Sequence, residues 1–260
     1  MIIILIMIPA VMTAVAGSPG AGKTTWIRQQ LAQVSARGLY LCLASDMPID
    51  RTYIGIECPQ VQILTAEERF QLPSQLSSED RAYIELGFHL DLTTIDRLLD
   101  LNCRRVAIVP PGITDSEWHD WADEIVIGVP VQTVVASPQL WRSPLQGNVI
   151  DFNSLEVFWY ELIQGAYGKA TRAKGIFDIT DGQSVYGDFA LGLPQKDCVP
   201  LNLPRWLEGR PQRFSGLEVW GQNLDEEAIA FSLKDCCLSS AEIHYYQQQI
   251  KQLLLQEARK

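Results

Sequence analysis

The stretch that decides the fold is "AVAGSPGAGKTTW", residues 14–26. It contains the pattern G-x-x-x-x-G-K-S/T, in which glycines let successive backbone N–H groups turn toward phosphate oxygens. An apolar run precedes the pattern and a helical pattern follows it, which is the context of a phosphate-binding loop. The residues predicted to bind a nucleotide are Gly17, Ser18, Pro19, Gly20, Ala21, Gly22, Lys23, Thr24 and Thr25.

Two residues of this loop have specific predicted roles. Lys23 would place its charge at the β- and γ-phosphates, and the hydroxyl of Thr24 would be a ligand of Mg²⁺. The helix that begins there adds the partial positive charge of its N-terminus. The predicted cofactors are therefore GTP or ATP together with Mg²⁺. The base stays open because no Asn-Lys-x-Asp motif, which reads guanine, is visible in the chain.

The segments around the loop predict an α/β fold. A core strand is expected over 11–16, an amphipathic helix over 23–37, and a buried strand, "LYLCLA", over 39–44. A strand, a glycine-rich loop, a helix and a strand form a βαβ unit, which implies a parallel sheet with flanking helices, as in a P-loop NTPase. Later segments predict a helix over 93–102, a strand over 106–109 and up to two short strands within 124–137.

A magnesium-binding acid is expected at the end of a later buried strand, but none is visible after the run 106–109, which ends in "PPG", residues 110–112. Without that acid the site would still bind Mg²⁺, which keeps several waters readily. It should hydrolyse slowly, because phosphoryl transfer depends on positioning and charge around the metal. Asp46 and Asp115 are the candidate catalytic substitutes, and whether the protein is an enzyme stays open.

The second half of the chain predicts a different domain. Prolines, serines and a glycine in "SPQLWRSPLQGN", residues 137–148, mark a boundary between domains 1–148 and 149–260. The short alternating segments "KGIFDIT", "SVYGDFALG" and "SGLEVWG" predict a small antiparallel sheet. Asp225 is placed to cap a helix, and Ser239 and Glu242 have the spacing of a capping box. The terminal amphipathic helix has the predicted apolar stripe Ile243, Tyr246, Ile250, Leu253 and Leu254.

Composition limits the classes of function. The chain has 260 residues, is 47% hydrophobic and 20% charged, and carries a net charge of -10, which disfavours a nucleic-acid partner. Six cysteines without a C-x-x-C pair are expected to be reduced thiols in a cytoplasmic protein. The apolar residues 1–17 lack a basic n-region and are short for a membrane span. We expect residues 1–6 to extend the first strand, or to result from a wrongly chosen start codon.

Three segments resemble the CobW-type GTPases and metallochaperones: "GSPGAGKTTW", "YGKATRAKGIF" and "GLEVWGQNLDEEAIAFSLKDCCL". The resemblance implies a P-loop GTPase domain followed by a small α+β C-terminal domain. It also implies a nucleotide-dependent switch or chaperone in metal trafficking or metalloprotein assembly, with a client protein reached through the C-terminal domain. The Cys-x-Cys-Cys metal motif of that family is absent here, and Cys58 stands alone in the corresponding region.

Two alternatives stay open. The chain could be a protein–protein interaction or scaffold module whose nucleotide site is degenerate. Within the "RAKG" segment, Arg172 and Lys174 could contact a phosphate or a partner, or they could form a structural pair at the start of a strand.

Overall fold

The chain folds into two compact units. In the computed structural model the described residues are 12–43, 47–68, 76–87, 92, 103–132 and 138–257. The first unit comprises Met1–Asp46 and Cys58–Val129, and the second comprises Met47–Glu57 and Pro130–Lys260. The predicted segments 1–6 and 93–102, as well as Asp46, lie outside the described residues. No helix among the described residues is both long enough and apolar enough to cross a membrane.

The first unit contains a six-stranded parallel sheet in the order β3-β2-β4-β1-β5-β6. All six residues of β1 are buried, as expected for a parallel strand that is covered on both faces. The predicted parallel α/β architecture is confirmed. The strands are β1 Met12–Gly17, β2 Gly38–Leu43, β3 Gln62–Leu64, β4 Arg81–Leu86, β5 Arg104–Val109 and β6 Glu124–Ile127.

Among the described residues of the first unit, the helices are α1, Lys23–Leu31, and a short α3, Glu117–Trp121. Helix α1 is shorter than the predicted 23–37, since the chain turns after Leu31 through the bonds Gln33 N–H to Gln30 O and Val34 N–H to Leu31 O. Bonds between residues three apart tighten the end of a helix and stop it. The buried side of α1 includes Ile27 and Leu31, as predicted.

Strand β4 lies between β1 and β2, and its position matters for the site. In the sheet register Glu85 is opposite Val15 of β1 and Cys42 of β2. The carboxyl ends of parallel strands meet at one edge of a sheet, where ligands of open α/β folds bind. The loop after β1 and the last residues of β4 therefore lie at the same edge. Sequence patterns did not predict β4.

The second unit contains a five-stranded antiparallel sheet in the order β10-β9-β8-β11-β7. Helix α4, Phe152–Gln164, packs its buried side chains Leu155, Phe158 and Leu162 into the core of this sheet. The predicted small α+β domain is confirmed as a fold. The strands are β7 Gln139–Pro144, β8 Lys169–Asp178, β9 Ser184–Ala190, β10 Val199–Pro200 and β11 Gly216–Gln222.

The division between the units differs from the predicted boundary at 148/149. Strand β7 pairs with β11 along its whole length, so residues 139–144 belong to the second sheet. The proline- and serine-rich stretch is therefore partly a strand. The second unit also includes helix α2, Ile49–Glu57, although α2 lies between β2 and β3 in the sequence.

Two helices end the chain, and their predicted caps are confirmed. The carboxylate of Asp225 accepts a bond of 3.0 Å from the Ala228 N–H at the start of α5, Glu226–Asp235. At the start of α6, Ser240–Glu257, the Ser239 N–H donates to Glu242 at 2.8 Å, and the Glu242 N–H donates to the Ser239 hydroxyl at 3.3 Å.

The predicted apolar stripe of α6 is only partly a buried face. Of its five residues only Ile243 is buried, whereas Leu253 and Leu254 are 53% and 40% exposed. The other buried residue of this helix is Gln247, whose side-chain amide bonds to both the N–H and the carbonyl of Gly209. The first turns of α6 are thus held by contacts, and the apolar residues of its last turns face solvent.

Candidate functional site

The loop after β1 has the backbone that a phosphate cradle requires. Gly17, Gly20 and Gly22 have φ angles of 133°, 74° and 105°, in the left-handed region that favours glycine. A Cβ atom added to Gly17 would collide with the carbonyl oxygen of Ile108 in β5. The glycines predicted from the motif are therefore required by the conformation of this loop.

Helix α1 begins immediately after the loop, with Gly22 as its N-cap residue. No side chain caps this end, and the first turn contains no acidic residue. The first N–H groups of a helix have no partner within the helix, and they carry the positive end of the helix dipole. The N-terminus of α1 thus offers donors and a partial positive charge to an anion.

The ammonium group of Lys23 is held against the loop. The residue is only 7% exposed, and its Nζ donates to the carbonyls of Gly17 at 2.9 Å and Ser18 at 3.1 Å. A compact positive charge that is largely shielded from bulk water suits recognition of a phosphate in this place.

A buried carboxylate stands next to the predicted magnesium ligand. Glu85, on β4, is 2% exposed, and its Oε1 accepts a bond of 2.8 Å from the hydroxyl of Thr24. The second oxygen, Oε2, accepts a bond of 2.6 Å from the hydroxyl of Tyr40 on β2. Strand β4 lies between β2, which carries Tyr40, and β1, which leads through the glycine loop to Thr24 on α1. The order of the strands therefore brings these three side chains together.

Glu85 is a candidate for the acid that was not found in the sequence. The acid was sought at the end of 106–109, which is β5, on one side of β1. The neighbour of β1 on its other side, β4, carries Glu85. The available sequence signal was an acid between Ile84 and Leu86 that is followed by Gly87, since a charge inside a buried strand requires a partner.

The end of β6 supports the phosphate loop, which was not expected from the sequence. The Val129 N–H donates to the carbonyl of Ala21 at 3.1 Å, and the Gly128 N–H donates to Val109 O at 2.8 Å. A Cβ atom at Gly128 would collide with the carbonyl oxygen of Ala21. Gly128 therefore lets the end of β6 approach the loop closely.

The two candidate catalytic aspartates are not brought to this site by any described contact. Asp115 is an exposed residue before α3, in the loop after β5. Asp46 lies outside the described residues. The roles of both residues stay predictions.

The "RAKG" cations have partners within the second unit. Arg172 forms an ion pair with Asp188 and donates to the carbonyl of Phe189. Lys174 Nζ lies 2.6 Å from the carboxylate of Asp50 on α2. These contacts favour the structural alternative over a phosphate site.

The described cysteines do not form a thiolate site. None of the six forms a disulfide, and no group of three or more His, Cys, Asp or Glu residues in the described ranges could hold a metal ion. Burial raises the pKa of Cys198 to about 12 and that of Cys236 to about 11, and it also raises the pKa of Cys237. These three thiols are therefore protonated at neutral pH, whereas a metal ligand must be a thiolate.

Comparisons with known proteins show a distant likeness to a solved structure. No protein-family model and no curated protein matches the chain. A crystal structure of a Zn(II)-bound triple mutant of the YjiA GTPase matches 88% of this chain and 99% of that chain, with 15% sequence identity and a TM-score of 0.32. That TM-score is too low to support a conclusion about the function of this chain.

Proposed function

We propose that this protein binds a nucleoside triphosphate together with Mg²⁺ and acts as a nucleotide-dependent switch. The observation that carries the proposal is the bond between the Thr24 hydroxyl and Glu85, immediately beside a glycine loop that opens helix α1. The loop supplies donors for phosphate oxygens, Lys23 supplies a positive charge, and Glu85 supplies the negative charge that a bound cation needs.

The side chains at this place fit Mg²⁺. The hydroxyl of Thr24 and the carboxylate of Glu85 are hard oxygen donors, 2.8 Å apart, which is the ligand class that Mg²⁺ prefers. Thr24 would hold the ion directly and Glu85 would hold it through water, while Tyr40 keeps the carboxylate in place. When bound, Mg²⁺ would neutralise charge on the β- and γ-phosphates.

The switch would be reset by hydrolysis or by exchange of the nucleotide. Hydrolysis needs a group that orients the attacking water, and Asp46 and Asp115 are our candidates for this role. Turnover of bound triphosphate should fall in Asp46→Asn or in Asp115→Asn, whichever residue orients the water. An unchanged turnover rate in one variant excludes that residue.

The proposal is tested by calorimetry of the purified protein with GTP, ATP and their diphosphates, with and without Mg²⁺. We expect one triphosphate to bind in the micromolar range, more tightly with Mg²⁺ than with EDTA. The same titration measures base preference, for which GTP and ATP are both candidates. Failure of both triphosphates to bind at millimolar concentration would contradict the proposal.

A second candidate function is a partner-binding module with a degenerate nucleotide site. The exposed apolar residues Tyr246, Leu253 and Leu254 on α6 favour a protein partner for the C-terminal domain. Under this alternative Lys23→Ala leaves partner binding and thermal stability in the presence of nucleotide unchanged. Under the switch proposal the same variant loses the stabilisation that nucleotide gives.

Metal trafficking or metalloprotein assembly in the cytoplasm, with a client protein, is the finer role that the family resemblance implies. Equilibrium dialysis with Zn²⁺, with and without nucleotide, tests this role. If the protein binds no Zn²⁺ either with or without nucleotide, this role is contradicted.

A further inference from the structure

Three large apolar side chains are exposed on the helices that cover the antiparallel sheet of the second unit. Val157 and Tyr160 on α4 are 59% and 56% exposed, and Phe231 on α5 is 67% exposed. The opposite sides of both helices are buried in the core of this unit, so the three side chains face away from the sheet. Exposed apolar residues that lie together mark interaction sites, whereas isolated ones are ordinary.

The two helices lie side by side and run in opposite directions. The Asp151 N–H, at the start of α4, donates to the carbonyl of Cys236, at the end of α5, at 2.9 Å. The Asp225 N–H, at the start of α5, donates to the carbonyl of Tyr167, just after the end of α4, at 3.0 Å. The start of each helix is therefore next to the end of the other, and both helices contribute to one core cluster.

This arrangement brings the three exposed side chains together. Val157 is six residues after Asp151, and Phe231 is five residues before Cys236. At a rise of about 1.5 Å per residue, both lie roughly 8–9 Å from the bonded helix ends. Tyr160 follows Val157 by three residues, so these two are neighbours on α4. Packed helices have axes about 8–10 Å apart, so the three residues form one surface, which we call the helix-layer patch.

Carboxylates surround the helix-layer patch. Helix α4 contains two acidic residues and no basic one, and α5 contains three acidic residues and one lysine. Each residue of the patch has a carboxylate one turn away along its own helix. These carboxylates belong to Glu156, Glu161, Glu227 and Asp235, and all four residues are exposed. Within the part of the chain that the structure describes, none of the four forms an ion pair.

The charge around the patch selects the kind of occupant. A second copy docked through the same surface would place these carboxylates opposite each other, because a two-fold contact uses one surface on both copies. An anionic membrane or a nucleic acid would be repelled in the same way. A protein segment whose apolar residues are flanked by lysine or arginine complements both the apolar and the charged parts.

The groove between two neighbouring helices suits a third helix, which has a diameter of about 10–12 Å with its side chains. We propose that the helix-layer patch docks a basic amphipathic helix of a partner protein. Val157, Tyr160 and Phe231 contact the apolar side of this helix, and the four carboxylates contact its lysine or arginine residues. This docking does not depend on the nucleotide site of the first unit, so it is tested without nucleotide.

Two synthetic peptides test the proposal on the full chain. Both are about 18 residues long, enough to form a helix, and share one leucine stripe. One peptide has lysines beside the stripe and the other has glutamates. By fluorescence anisotropy we expect the lysine peptide to bind in the micromolar range, more weakly at high salt, and the glutamate peptide to bind at least about 10-fold more weakly. Equal affinities, or no binding of the lysine peptide at millimolar concentration, would overturn the proposal.

Variants locate the binding site, because a protein with a net charge of -10 attracts a basic peptide over its whole surface. Phe231→Ser should weaken binding of the lysine peptide by about 10-fold, since aromatic residues at the centre of an interface usually contribute most. Tyr245→Ser is the matched control, because Tyr245 is 60% exposed on α6, outside the patch. Thermal denaturation checks that both variants fold. Equal affinities of the two variants would overturn the proposal.

Charge reversal tests the carboxylates without relying on a loss of binding. Glu156→Lys with Glu227→Lys should shift the preference of the protein toward the glutamate peptide. Glu208→Lys with Glu257→Lys reverses as many exposed charges outside the patch and should keep the preference for the lysine peptide. An unchanged preference in the first double variant would overturn the proposal. So would a dimer, seen by sedimentation of the wild-type protein, that Phe231→Ser dissociates. The proposed nucleotide binding stands or falls separately, by calorimetry.

Discussion

Glu85 in the first unit and Asp178 in the second are both buried carboxylates near the carboxyl ends of strands, but their partners differ. Glu85 accepts bonds from the hydroxyls of Thr24 and Tyr40. Asp178, at the end of β8, accepts bonds of 2.6 Å from the hydroxyl of Ser184 and from Nε of Arg213. One carboxylate is linked to a helix that follows a loop shaped for an anion, and the other is linked to a guanidinium group within its own unit.

This difference in partners predicts that Glu85 matters for ligand binding and that Asp178 matters for the stability of the fold. A buried carboxylate that is paired with arginine inside one unit holds that unit together, and removing the cation leaves an uncompensated charge. A buried carboxylate that is bonded to the predicted magnesium ligand is expected to matter most when the ion is bound. Substitutions around Asp178 should therefore change stability and leave affinity unchanged, and those around Glu85 should do the reverse.

The largest expected effect is on stability, in the second unit. Arg213→Met should reduce the free energy of unfolding at neutral pH by about 3 kcal/mol, because Asp178 is 1% exposed and would lose its cation. Urea denaturation measures the change. Lys251→Met removes a cation from an exposed pair with Glu208 and should change stability by less than about 1 kcal/mol. Equal effects of the two variants would contradict the role of the buried pair.

The pH dependence of Arg213→Met has a defined sign. Burial raises the pKa of Asp178 in the wild-type protein, against the lowering effects of Ser184 and Arg213. Loss of Arg213 removes one of these lowering effects, so the pKa rises further. A raised folded-state pKa means that the folded state binds the proton more readily than the unfolded state, and acidification favours folding. The destabilisation should therefore shrink as the pH falls through the pKa of Asp178.

The next effect is on affinity, in the first unit. Lys23→Ala should weaken triphosphate binding by roughly 10- to 100-fold, since a charge-assisted hydrogen bond contributes about 1.5–3 kcal/mol. The measurement is calorimetry, and thermal denaturation without nucleotide shows whether the variant folds. Lys169→Ala is the matched control, because Lys169 is an exposed lysine of the second unit. Unchanged affinity in Lys23→Ala would contradict the proposal that the phosphate loop binds the triphosphate.

Glu85→Gln tests the difference between Glu85 and Asp178 directly, because it removes the charge and keeps the shape of the side chain. We expect about 10-fold weaker binding of the triphosphate with Mg²⁺ and unchanged binding with EDTA, as for residues that hold a metal ion through a water or a ligand. Tyr40→Phe removes one bond to the carboxylate and should have a smaller effect. If Glu85→Gln weakens binding equally with and without Mg²⁺, then Glu85 acts on the loop and not on the ion.

The same two regions show what the sequence could and could not predict. The phosphate loop was predictable because its conformation depends on glycines at fixed spacing within a few residues, between one strand and one helix. Glu85 was missed because its role depends on strand order: β4 pairs between β1 and β2, and Thr24 is 61 residues away in the chain. A short strand that contains a charge also has a weak apolar pattern.

In the second unit, too, local features could be predicted from the sequence, whereas contacts between distant residues could not. The antiparallel strands β8, β9 and β11 and both helix caps were predictable, because alternation and capping are local patterns. The partner of Lys174 was not, since Asp50 is 124 residues away and on a helix that follows a strand of the other unit. Sequence patterns thus identified the residues of the "RAKG" segment, and only the fold identified their contacts.

The smallest expected effect belongs to a carboxylate that is neither buried nor near the loop. Asp225 is exposed and bonds the Ala228 N–H at the start of α5. Asp225→Ala should reduce stability by about 1 kcal/mol, the usual effect of losing an N-cap, and Asp225→Asn should stay within a few tenths because asparagine also caps. Nucleotide affinity should be unchanged in both variants. A change in affinity here would show that the second unit influences nucleotide binding, and it would contradict the assignment of binding to Glu85 and of folding stability to Asp178.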